Sequence, residues 1–174
     1  AYGRGKGLTV FNTPAASSQS VAELVMGHIF SLSRSLHASN RTMPVEGSEN
    51  FKALKKAYGK GTELRGKTLG IIGFGRIGRS LASYALGCGM KVVANDIYAT
   101  DGNVDLEIGD ISFSIDCALV SMDEILRSSD VVSLHIPAQP DGSAVIGKEQ
   151  LDQMKPGALL INAARGGVLD EDAL

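Results

Sequence analysis

The chain of 174 residues has no tryptophan, only two cysteines, five prolines and 5% aromatic residues. Two cysteines cannot build a disulfide framework or a cysteine-rich metal site, so Cys88 and Cys117 read as free thiols in a reducing compartment. The cytoplasm is the expected location, and no metal site is expected. Long apolar runs are missing as well: nothing approaches the roughly 20 residues that span a bilayer. No basic segment followed by an apolar one marks a secretory signal. Charge of one sign is also lacking, since the formal net charge is −2. That gives no electrostatic reason to bind nucleic acid or an acidic membrane, and neither is an expected partner. The sequence contains no internal repeat and no low-complexity tract.

What is present is a globular composition, 44% hydrophobic with 21 glycines, long enough for one domain with its own core. The chain opens on Ala1 rather than Met and stops at Glu171-Asp172-Ala173-Leu174, in what reads as the first turns of a helix. The expectation is a piece of a longer polypeptide.

The first third reads as a lead-in. Residues 8–11 (LTVF) are expected to form a short strand, broken by Asn12-Thr13-Pro14. Val21, Leu24, Val25, Ile29, Leu32 and Leu36 then fall at helical spacing. Ser20 and Glu23 give the S-x-x-E pattern of a capping box, which starts that helix. It should end before Pro44. Residues 41–67, polar and holding Lys52, Lys55, Lys56 and Lys60, are expected to be a crossing loop whose lysines are solvated.

From Lys67 the pattern becomes an alternation of strand and helix. Strands are expected at 68–72, 90–94, 118–120, 131–136 and 158–162. Helices are expected at 76–86, 122–127 (with Ser121 and Glu124 as a second capping box) and 148–154. Residues 98–117 are the least regular and could hold a hairpin. This alternation predicts an α/β fold, a doubly wound parallel sheet covered on both faces. The domain reading is 1–66 for the lead-in and 67–174 for a truncated nucleotide-binding unit.

The most informative stretch is LGIIGFGRIG, residues 69–78. Gly73, Gly75 and Gly78 stand at G-x-G-x-x-G spacing, after a strand and before a helix. The first glycine permits the sharp turn, the second lets backbone approach a diphosphate, and the third lets the helix pack on the sheet. The helix start then offers free N–H groups of Arg76 and Ile77 to an anion. Asp96 ends the next strand, where a carboxylate accepts ribose hydroxyls and repels a 2′-phosphate. No Lys or Arg follows at 97–100. The cofactor expected is NAD.

At this level of detail the chain resembles the D-isomer-specific 2-hydroxyacid dehydrogenases. The resemblance rests on Thr62-Glu63-Leu64-Arg65-Gly66-Lys67-Thr68-Leu69-Gly70 running into the glycine loop, and on Asn12-Thr13-Pro14 followed by Ser20-Val21-Ala22-Glu23-Leu24. It rests equally on Val131-Val132-Ser133-Leu134-His135-Ile136-Pro137, Met154-Lys155-Pro156-Gly157-Ala158 and Asn162-Ala163-Ala164-Arg165-Gly166-Gly167. Only 98–117 departs from the pattern, by being longer.

The resemblance implies an NAD-binding Rossmann domain inserted into a discontinuous substrate domain, which this chain would lack. It implies that Arg165 binds the substrate carboxylate and carbonyl, that Ala163 and Ala164 lie beside the nicotinamide, and that His135, Ile136 and Pro137 border the cofactor groove. It also implies a homodimer or higher homo-oligomer built through the helix at 21–36. The activity implied is NAD-dependent oxidation of a D-2-hydroxy acid, with 3-phosphoglycerate the expected substrate. A glyoxylate or hydroxypyruvate reductase and a non-catalytic NAD-sensing module stay open. The family's proton-transferring His and its Glu partner lie beyond the fifth strand and outside this sequence. His28 and His37 read as structural, so the chain alone is expected to be inactive.

Overall fold

In the computed structural model, residues 2–13 and 15–174 are described. Pro14, one of the residues carrying the family resemblance, lies outside them. A single turn, α1 (Tyr2–Gly5), opens the chain. The strand expected at 8–11 does not form. Val10 is 50% exposed and Phe11 85% exposed, so this apolar run has neither a partner strand nor a face to bury.

Helix α2 (Ser18–Arg34) starts earlier than expected. Ser20 sits inside its first turn and donates its hydroxyl to Ser17 O (3.0 Å). The Ser20–Glu23 capping box is therefore absent. The buried stripe is Ala22, Val25, Met26 and Ile29, rotated from the expected one. Leu24, Leu32 and Leu36 are half-exposed or more. The rotation follows from packing, because α2 lies against the later helix α4 (Arg76–Gly87) and the small Ala22 admits the close approach.

Helix α3 (Leu36–Tyr58) replaces the loop expected at 41–67. It runs through Pro44 and breaks at Asn50 (φ −115°, ψ 18°) instead. The Thr42 hydroxyl lies 2.7 Å from the Tyr58 hydroxyl. Residues 16 apart on a straight helix would be separated by about 24 Å, so the chain doubles back at Asn50. None of the residues of α3 is buried. The result is a helical arm rooted at the end of α2, where Thr62 N–H returns to Ser33 O (2.8 Å).

The body follows the expected alternation. In chain order it holds β1 (Thr68–Ile72), α4, β2 (Lys91–Asn95), β3 (Asn103–Ile108), β4 (Ile111–Asp116) and β5 (Ala118–Leu119). Then come α5 (Met122–Ser128), β6 (Val131–Leu134), α6 (Lys148–Leu151), β7 (Leu159–Asn162) and a 3₁₀ turn (Glu171–Ala173). Five strands form one parallel sheet in the order β5-β2-β1-β6-β7. With the hairpin set aside, that is the doubly wound order 3-2-1-4-5. The sheet is covered on both faces. One core, including Val25, Ile29, Leu69, Ile71 and Leu81, lies under α2 and α4. The other, including Ile72, Ile125, Leu126, Val132 and Leu134, lies under α5 and α6. The innermost strands read as near-continuous apolar runs for that reason.

Three details differ from the sequence reading or extend it. The irregular stretch is an antiparallel hairpin, β3 with β4, whose Val104 and Leu106 bury against α4. Helix α6 stops short of Met154, because Gln153 and Met154 donate to carbonyls three residues back and tighten the chain out of the α-helix. The Ser121 hydroxyl accepts Glu124 N–H (3.2 Å), so the second helix cap does form.

Candidate dinucleotide site

The carboxyl ends of β1 and β6 are adjacent in the sheet, and the order reverses between them. Open α/β sheets bind ligands at such a switch point. Gly73 leaves β1 with φ +97°, and a Cβ there would press on His135 O and Ile136. Only glycine accepts both that dihedral and that contact. Gly75 is the opposite case: a Cβ on it would meet nothing within 4 Å, so its open side faces free space. Gly78 is buried, and a Cβ there would run into Gly73 O.

No side chain caps the start of α4, where Gly75 is the N-cap. Its first-turn residues Arg76, Ile77 and Gly78 thus present N–H groups with no intrahelical acceptor. Those donors, with the positive end of the helix dipole, form a receptor for an oxyanion next to bare backbone. Arg76 is exposed, and Ile77 is half-buried.

Asp96 lies at the end of β2, and its carboxylate is already engaged. Oδ2 accepts Phe74 N–H (2.7 Å), and Oδ1 accepts the N–H groups of Tyr98 (2.7 Å) and Ala99 (3.0 Å). A carboxylate offers about four acceptor positions, so one remains. The same bonds clamp the glycine loop to the β2 exit. A second clamp was not legible in the sequence. The Arg79 guanidinium stacks on the buried Phe74 ring, 4.8 Å from its centre. It also pairs with Asp101 (3.0 Å) and donates to the carbonyls of Asp101 and Asn103. That ties α4 to the start of the hairpin. The only sequence signal would have been an arginine one turn into the helix facing an aspartate before an insertion.

At the end of β6, His135 Nε2 lies 2.9 Å from the fully buried Ser133 hydroxyl. Its Nδ1 is buried without a partner. Burial pushes the imidazole down to about 4, so it is neutral at physiological pH. Ile136 is half-buried and Pro137 exposed beside it. At the end of β7 the Asn162 side chain shapes the next turn: Oδ1 accepts Ala164 N–H (3.1 Å) and Nδ2 donates to Arg165 O (3.2 Å). Ala163 packs on the first core. Arg165 is exposed and donates one Nη1–H to Ala164 O (2.8 Å), with its other donors free of acceptors among the described residues. His28 and His37 are both exposed, on α2 and α3. Among the described residues there is no cluster suited to a metal, and no helix is long and apolar enough to cross a membrane.

A doubly wound sheet with an uncapped, glycine-led helix at its switch point defines a nucleotide-binding fold. Residues 26–174 match the family model for the D-isomer specific 2-hydroxyacid dehydrogenase, NAD binding domain, and the chain belongs to that family. It is 41% identical over 170 residues to a hydroxypyruvate reductase of Thermotoga maritima, covering 97% of this chain and 50% of the relative. It is 40% identical over 169 residues to a putative D-3-phosphoglycerate dehydrogenase of Schizosaccharomyces pombe, covering 97% of this chain and 33% of the relative. Among solved structures, a D-lactate dehydrogenase from Aquifex aeolicus, complexed with NAD and lactic acid, superposes with a TM-score of 0.72. It is 35% identical, and the match covers 99% of this chain and 47% of that one. The chain thus spans half or less of these relatives, and its cofactor class is NAD.

Proposed function

We propose that this chain is the NAD-holding half of an oxidoreductase that converts a D-2-hydroxy acid to the 2-oxo acid, with 3-phosphoglycerate and 3-phosphohydroxypyruvate as its pair. The observation that carries the reading is the division of labour among the three glycines. One turns the chain at positive φ, one leaves an open approach and one is packed shut, in front of a helix with no side-chain cap. In this reading the N–H groups of Arg76, Ile77 and Gly78 hold the diphosphate over Gly75. The remaining acceptor position of Asp96 takes a ribose hydroxyl. Asp96 disfavours a 2′-phosphate, and Arg79, committed to Asp101 and Asn103, is not placed to neutralise one. His135, Ile136, Pro137, Ala163 and Ala164 border the groove.

NAD, when bound, accepts the hydride from C2 of the substrate. Arg165 supplies a planar, permanently charged fork to the substrate carboxylate. The hydroxyl proton must leave to a base, and no histidine here suits that role. Burial pushes His135 down to about 4, which makes it a weak base, and its Nε2 faces Ser133, while His28 and His37 are exposed on the lead-in helices. The base belongs to a His–Glu pair outside these residues. The protein is further proposed to be a cytoplasmic homodimer, in which the exposed Leu24, Phe30 and Leu32 of α2 and the unburied arm α3 face a second copy.

The test is a substrate panel on the protein carrying this chain, with NAD reduction followed by absorbance. Oxidation of 3-phosphoglycerate should exceed that of glycerate and D-lactate in kcat/KM, and Arg165→Ala should cut it by roughly 100-fold or more. Preferential reduction of hydroxypyruvate would install the reductase reading, which the Thermotoga relative favours. NAD binding without turnover on any member of the panel would install the sensor reading. Turnover of 3-phosphoglycerate by residues 1–174 alone would overturn the placement of the base.

A further inference from the structure

The end of the sheet opposite the glycine loop holds a cluster of charge that this function leaves unused. A cavity of about 340 Å³ opens there, lined by Ser33, Ser35, Lys60, Thr62, Lys67 and Lys155, with Asp130 at its wall. Three different elements converge on it. Ser33 and Ser35 come from the last turn of α2 and its cap, and Lys60 and Thr62 from the segment returning from the arm. Lys67, Asp130 and Lys155 come from just ahead of β1, β6 and β7.

The charges do not balance. Asp130 is the one carboxylate lining the cavity, and both its oxygens are engaged. Oδ2 accepts Thr68 N–H (2.8 Å), and Oδ1 pairs with Lys155 Nζ (3.3 Å). Burial works to raise its carboxyl, but the Thr68 N–H and the neighbouring Lys155 and Lys67 outweigh it and hold it below the usual range. Lys60 and Lys67 have no ion-pair partner among the described residues. Three ammonium groups against one committed carboxylate leave a cavity of net positive charge, lined also by three hydroxyls able to donate. A second, independent feature sits in the same wall. Ser35 is the one non-glycine residue at positive φ among those described (φ 53°, ψ 35°). Glycine would adopt that conformation without strain, whereas serine adds a hydroxyl-bearing side chain to the cavity lining.

We propose that this cavity is a binding site for a phosphate monoester or related oxyanion, separate from the dinucleotide site. The ammonium groups neutralise the anion and the Ser33, Ser35 and Thr62 hydroxyls complete its oxygen contacts. Of the basic run in the arm, Lys60 alone is engaged. Its partners belong to α2, to the sheet base and to the arm root, so a bound anion fastens the arm to the body.

The experiment uses the protein saturated with NAD, so that added phosphate cannot score at the glycine loop. Inorganic phosphate is titrated against sodium chloride of matched ionic strength, and Tm and the heat of binding are followed. Phosphate at about 100 times its Kd should raise Tm by roughly 5 °C, while chloride should leave it within a degree. The exposed-residue variant Lys60→Gln should weaken phosphate binding several-fold, and Lys60→Gln with Lys67→Gln at least 10-fold. Ser35→Gly, which relieves the backbone, should raise the basal Tm and still weaken phosphate. An equal response to phosphate and chloride, or an unchanged response in the double lysine variant, would overturn the proposal. So would a phosphate response that disappears as NAD is added. Asp96→Ala, read at an NAD concentration raised until the variant is saturated, separates the two sites: it should weaken NAD and leave the phosphate response intact, so failure of either assignment is visible without the other.

Discussion

The sheet body and the α3 arm are built on opposite terms. In the body every central strand is covered on two faces, and residues such as Leu69, Ile71, Leu81, Val132 and Leu134 have essentially no exposed surface. In the arm none of the residues is buried, and Val45 and Phe51 stand open to solvent. The body is therefore held by packing against distant parts of the chain. The arm is held by local helix propensity, one Thr42–Tyr58 hydrogen bond and its root at Ser33. Helices of this kind are marginal alone. Stability therefore resides in the body, and a second copy or a ligand held against the arm would change it most.

Three substitutions test that contrast, in falling order of effect. Gly78→Val drives a side chain into the carbonyl of Gly73 at the tightest point of the body. It should destabilise the chain by about 3 kcal/mol or more and abolish NAD binding, as read by thermal unfolding and calorimetry. A stable Gly78→Val protein would mean the loop is looser than its packing implies.

The next effect comes from His135. Its folded-state value of about 4 lies below the unfolded value near 6.5. Its contribution is complete above about pH 6.5 and is lost as pH falls toward 4. That loss should be on the order of 3 kcal/mol. Urea unfolding at several pH values should show the slope, and His135→Gln should flatten it. The smallest effect belongs to the arm. Phe51→Ser should change the stability of the isolated monomer by less than about 0.5 kcal/mol. A large change would show that the arm is packed after all.

The same contrast decides what the sequence disclosed. The body was legible because its signals are local and redundant: apolar strands, glycines at fixed spacing, a helix after each strand. The glycine loop, Asp96 and the segment 162–167 were visible for the same reason. What stayed hidden depended on distant contacts. The strand expected at 8–11 does not form because no strand among the described residues lies beside it to pair. The buried stripe of α2 differs from the one its apolar spacing predicts because α4 selects which side of the helix is covered, and Ala22 is small rather than strongly apolar. The helix begun at Ser18 does end before Pro44, at Arg34, but Pro44 itself lies inside a second helix whose break is at Asn50. The clamps on the loop, Asp96 to Phe74 and Arg79 to Asp101, join residues more than 20 positions apart. Ser133 beneath His135 carries no signal beyond its place in an apolar strand.

Among the described residues β7 pairs with β6 along one side, and its other side meets no strand. Its outer row of amide and carbonyl groups is a ready template for any extended peptide that drifts into reach. A charged residue set into the outward side of that ribbon, or an added blocking strand, is thus the first change to make for anyone wishing to keep residues 1–174, prepared on their own, dispersed at high concentration.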